Sequence, residues 1–94
     1  MNALRRVALP KYESFTILLR RYPDGDSVDW RGITPPWIVS GALFNANAIS
    51  LVQSQRQQCW YLARPHPMQI GDTIAIRFDS FDAALAAMEL GVEP

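Results

Sequence analysis

The alternation of apolar and polar positions is clearest near the C-terminal end. Thr73-Ile-Ala-Ile-Arg-Phe78 alternates like a half-buried strand. Phe81, Ala84, Leu85 and Met88 then recur at i, i+3, i+4 and i+7, the spacing of one helical face. The pattern predicts a helix over about 80–90. Asp79 is its expected N-cap and Asp82 completes a carboxylate variant of the capping box. Gly91 is the expected positive-φ C-cap, with Val92 packing back on the last turn.

Upstream, the period of two dominates. Residues 1–10 read as an arm, extended along a sheet edge and ending at Pro10. Between Tyr12 and Tyr22, Phe15, Ile17 and Leu19 alternate with Thr16, Leu18 and Arg20. This predicts a long strand with one greasy and one mixed face, placed at an edge. Pro23-Asp-Gly-Asp26 is a turn signal, since proline presets φ and glycine accepts positive φ. A short strand around 27–31 returns from it. Residues 37–44 carry two readings. A β-branched pair and aromatic ends favour a strand, whereas Thr34 and Pro35 would equally start a helix; the strand is preferred. Asn45-Ala-Asn47 suits a hairpin loop. Further strands are expected over 48–55 and 59–64, joined by a turn at 56–58 and closed by Pro65-His-Pro67. Gly71-Asp72 turns the chain into the last strand. The predicted fold class is α+β: an antiparallel sheet of four or five strands with one C-terminal helix packed on one face.

Composition narrows the picture. Ninety-four residues with 49% apolar content make one globular domain, 1–94. A chain this size buries roughly 60–65% of its unfolded surface, so its stability margin is slim. Formal net charge is zero, which excludes a generic DNA coat and an acidic DNA mimic. The charge is segregated, however. Residues 1–70 hold eight of nine Lys+Arg and four of nine Asp+Glu, and no carboxylate occurs between Trp30 and Gly71. An acidic tail helix thus faces a mildly basic middle. Neither a secretory signal nor an apolar run of membrane-spanning length is evident, so a cytoplasmic location and no membrane partner are expected.

Candidate chemistry is sparse. Cys59 is the sole cysteine, which rules out an intrachain disulfide, and His66 the sole histidine, which rules out a histidine metal cluster. Together they are the minimum for a thiol–imidazole nucleophile, but a small buried residue and a rigid loop residue are the preferred readings. Asp24, Asp26 and Asp29 gather in a turn whose spacing fails the EF-hand loop. Phosphate loop, dinucleotide fingerprint and nucleophile elbow are all missing from the sequence. No catalytic residue, metal or cofactor is assigned, and an enzyme is not expected.

Aromatic and arginine residues remain. Trp30, Arg31, Trp37, Arg64 and His66 are the candidate partner-binding residues, with Arg20 and Arg21 as rim charges. Tryptophan and arginine are common interface anchors, and charge depletion marks interface cores. The leading expectation is a non-catalytic module that occupies a surface on a larger protein, with homodimerisation through the long strand as a further arrangement. Single-stranded nucleic acid is the alternative partner, disfavoured by so few phosphate-neutralising charges. In size, neutrality and lack of a catalytic signature the chain is similar in type to small accessory proteins of phages and mobile elements, including inhibitors of host defence such as anti-CRISPR proteins. That similarity rests on no motif and implies no target or site.

Overall fold

The structure, a computed structural model, describes residues 4–10, 13–22, 28–30, 37–38, 48–69 and 72–94. In chain order these form β1 (Arg6–Ala8), β2 (Ser14–Arg21), β3 (Val28–Trp30), β4 (Trp37–Ile38), β5 (Ile49–Ser54), β6 (Trp60–Pro65), β7 (Thr73–Phe78) and the helix α1 (Phe81–Glu89). The described strands pair antiparallel in the order β1-β7-β6-β5-β2-β3, and β4 joins the start of β2. The expected α+β architecture is present. Four strands of six to eight residues form the body of the sheet, short strands line its edges, and α1 crosses one face. Among the described residues no helix is long and apolar enough to cross a membrane.

The N-terminal arm supplies β1, an edge strand on β7, as its extended pattern suggests. The long strand β2 is not an edge. It pairs along its whole length with β5, and β3 and β4 take up opposite ends of its other side. Of the ambiguous segment 37–44, Trp37–Ile38 is strand. Its remainder, together with the turn at 23–26 and the loop at 45–47, lies outside the described residues.

Two apolar layers flank the sheet. On the α1 side, Leu19, Ile49, Leu51 and Leu62 pack with Ala84, Ala87 and Met88. Phe15, Ile17, Val52, Tyr61, Ala63 and Ala75 form the second layer on the other face, where Phe15 and Tyr61 meet edge to face at 6.0 Å. Burial on both faces explains why β5 is buried at every position but Gln53, with Ser50 and Ser54 enclosed beside Val52.

The smooth alternation of Phe15, Ile17 and Leu19 is misleading. Ile17 pairs with Val52 while Leu19 pairs with the adjacent Leu51, so Leu18 is an extra residue in β2, a β-bulge. Past the bulge the faces exchange. Phe15 and Ile17 enter the second layer, and Leu19 enters the layer beneath α1.

The helix is anchored at both ends. Its N-cap is Ser80, not Asp79: Ser80 is extended, and its Oγ accepts from the Ala83 backbone N–H at 3.1 Å. Both residues are good caps, and helical phase selects the second. At the other end the Val92 N–H reaches the Ala87 carbonyl and the Gly91 N–H that of Met88, the two bonds of a Schellman motif. Gly91 sits at φ +80°, and a Cβ there would lie 3.1 Å from Arg21 Nη1. Gly91→Ala is therefore expected to lower the urea midpoint, by the equivalent of about 1–2 kcal/mol, at unchanged m value. A neutral substitution would refute this account of the cap.

Candidate functional site

The end of the sheet where β6 and α1 both finish gathers three of the predicted site residues. Along β6, Ala63 pairs with Ser50, so the next residue, Arg64, lies across from Ile49. Ile49 in turn pairs with Arg21 of β2. Arg64, Ile49 and Arg21 thus form one row on the α1 side, with the two arginine backbones about 10 Å apart across the intervening strand. The Arg21 guanidinium rests against Gly91, at the negative end of the helix dipole. Among the described residues, Arg21 Nη1 and Arg64 Nε are shut off from water and have no hydrogen-bond partner. An arginine nitrogen so placed is poorly satisfied, and its side chain gains by turning outward to an acceptor on a partner.

His66 follows directly. Its Nδ1 accepts from the backbone N–H groups of Met68 and Gln69, both at 3.0 Å, so the imidazole caps its own turn as asparagine or aspartate often does. This accepting role leaves the ring proton on Nε2. The His66 N–H then bonds the Asp72 carbonyl, and the Asp72 N–H bonds the Gln69 carbonyl, which closes the loop onto β7. Between this loop and β1 lies an open cavity of about 420 Å³. Its walls include Arg6, His66, Gln69 and Asp72 beside the apolar Val7 and Ile74.

Two apolar side chains at this end stand almost wholly in solvent: Met68 is 85% exposed and Leu90 81%. Met68 belongs to the His66 turn, and Leu90 precedes the Gly91 that Arg21 abuts.

No family model, curated protein or solved structure matches this chain.

The remaining predicted residues separate from this cluster or fall outside it. Arg20 and Arg21 are neighbours on a strand and so point to opposite faces; Arg20 pairs with Ser50 and belongs to the second face. By register Trp30 lies opposite Leu19 and Trp37 opposite Phe15, on the outer side of β2. Arg31 lies outside the described residues, as do Asp24 and Asp26.

Cys59 and His66 cannot act as a pair. They lie just before and just after β6, separated by about 20 Å of strand. Cys59 is buried, with its sulfur beside the Tyr61 hydroxyl and the Arg77 guanidinium. Hydrogen bonding to Cys59, and then its charge, hold Arg77 above its ordinary value. Glu13 is buried nearby and accepts from Gln57 Nε2 through both oxygens at 3.0 Å, with Arg56 Nη1 at 3.6 Å. These contacts tie the β5–β6 turn to the start of β2.

Met68, Leu90 and Arg6 escape sequence reasoning. A lone methionine beyond a proline and a leucine ending a helix both look like core, and only the coordinates reveal their exposure.

Proposed function

We propose that the chain is a non-catalytic protein-binding module that acts by occupying a surface on a larger partner. The observation that supports this reading is the pairing of unsatisfied cations with exposed apolar side chains. Arg64 Nε and Arg21 Nη1 lack acceptors among the described residues, at the end of the sheet where Met68 and Leu90 stand in solvent. A partner segment carrying a carboxylate beside an apolar side chain complements both features. The carboxylate supplies the missing acceptor, and the apolar group covers Met68 or Leu90. A chain without net charge fits selective docking better than phosphate tracking.

The test is selection of displayed random peptides on the intact immobilised chain. Enriched sequences are expected to combine Asp or Glu with a large apolar residue. Their binding should fall at least about tenfold when Arg64→Glu is combined with Met68→Ser, the loss of one charge-assisted contact. Arg56→Glu, at the opposite end of β6, should leave it unchanged. Selected peptides that bind all three chains equally would remove the site. Salt-sensitive retention on single-stranded oligonucleotides in place of peptide binding would favour nucleic acid.

A further inference from the structure

The outer edge of β1 is a second surface, independent of the docking reading at Arg64 and Met68. Among the described residues β1 pairs on one side only, with β7. The direction of its backbone groups follows from the ladder. The Leu9 N–H donates to the carbonyl of Thr73, the residue opposite it, so the two form a hydrogen-bonded pair. Such pairs alternate along an antiparallel ladder, so Val7 also turns its N–H and C=O toward β7. Arg6 and Ala8 therefore each turn an N–H and a C=O outward. The bond from the His66 N–H to the Asp72 carbonyl fixes the same phase on the other side of β7. An edge of this kind is a template for one more strand.

The side chains along that edge are cationic and apolar. Leu4, Arg5, Arg6 and Ala8 are exposed, and Val7 is half-buried against the second layer. Arg6 shares the α1 side with Leu4 and Ala8, because it pairs with Ile76 and Ile76 with Leu62. Arg5 and Val7 lie on the other side. Arg6 Nη2 donates to the Glu93 carbonyl at 2.9 Å, which steadies the guanidinium and leaves its other N–H groups for an acceptor. A second copy of this chain fits the edge badly. Antiparallel self-pairing through these groups sets Arg6 opposite or diagonal to the Arg6 of the second copy. The remaining register puts Pro10, which lacks an N–H, in a bonded position. We propose that β1 instead accepts an extended acidic segment of a partner protein as an added antiparallel strand. Opposite Ala8, Val7, Arg6, Arg5 and Leu4 in turn, that segment reads small, β-branched, acidic, acidic, apolar. Its two carboxylates fall on opposite faces, each beside one arginine. The residues facing Ala8 and Arg6 exchange two backbone bonds apiece.

The experiment is an amide NMR titration of the full chain with the capped peptide acetyl-Thr-Val-Glu-Glu-Leu-amide. Saturable shifts are expected at Arg6, Ala8 and their neighbours, with a Kd near about 1 mM. Methylating the nitrogen of the first glutamate, which bonds Arg6, should weaken binding at least about tenfold. Methylating the valine nitrogen, which points away from β1, should change it by less than about twofold. Glutamine at both acidic positions should also cost at least about tenfold. No saturable shift in β1, or shifts confined to Arg64, Met68 and Leu90, would overturn the proposal; the second result would leave the docking reading standing. Equal loss from the two methylated peptides would overturn strand addition. Shifts in β1 that grow with protein concentration, without peptide, would assign the edge to a second copy instead. Every arm uses the unaltered chain, so a misfolded variant cannot obscure the result.

Discussion

A chain lacking Leu18 is expected to keep most of its stability, whereas a chain lacking Val52 is expected to lose about 4 kcal/mol or more. Leu18 is the bulge residue of β2, the position skipped between Ile17 and Leu19 in the pairing with β5. Removing it leaves Ile17 opposite Val52 and Leu19 opposite Leu51 in an unbroken ladder, with every flanking side chain on its native face. The loss is the packing of one half-buried leucine against the layer beneath α1, about 1–2 kcal/mol. Val52 lacks this escape. It is fully buried and pairs with Ile17 on one side and Tyr61 on the other. Deleting it draws Gln53 into its slot from one side or shifts the Ile49–Leu51 segment onto the wrong face from the other. Lost apolar burial and a buried polar group together cost about 4 kcal/mol or more. A domain of this size has roughly 5–14 kcal/mol in total. Thermal melts and amide NMR spectra of the two variants decide the matter. A Val52 deletion that melts no lower than the Leu18 deletion would refute the bulge assignment.

The bulge also shows where sequence reading stops. Strand β7 is legible to the residue because its alternation is flanked by a turn and a helix cap. The C-terminal motif is equally legible, since Gly91 and Val92 stand where a Schellman ending requires them. In β2 the alternation of Phe15, Ile17 and Leu19 looks uninterrupted, but a bulge inserts one residue and reverses the faces beyond it. An apolar residue at 18 is acceptable on either face, so nothing local flags the break. Serines at 50 and 54 suggest a solvent face of β5, yet they sit buried in the second layer because a small side chain leaves room there. The candidate site was legible in part. Arg21, Arg64 and His66, far apart in the chain, lie at one end of the sheet, while Arg20 is turned away by strand geometry alone. Met68, Leu90 and the Arg6–Asp72 wall depend on how distant strands are brought together, which no local pattern encodes.

That non-local assembly has its sharpest thermodynamic signature at Tyr61. Burial pushes its hydroxyl up from 10.0 to about 12, hydrogen bonding and charge from Cys59 add to the shift, and Arg77 opposes it. Glu13, held close by Gln57, adds a further small rise. A group whose pKa is raised on folding favours the native state while it stays protonated. Its contribution is complete below the unfolded value of 10 and disappears as pH climbs through about 12. Denaturant unfolding between pH 8 and 12 should therefore show stability falling more steeply for the native chain than for Tyr61→Phe. The ring of that variant keeps its edge-to-face contact with Phe15. The two curves are expected to converge or cross as the hydroxyl ionises, since only the native chain has to bury a phenolate or expose it. Curves that stay parallel across that interval would mean that Tyr61 is solvated in the folded chain, and the packing between Phe15 and the β6–β7 pair would then need redrawing.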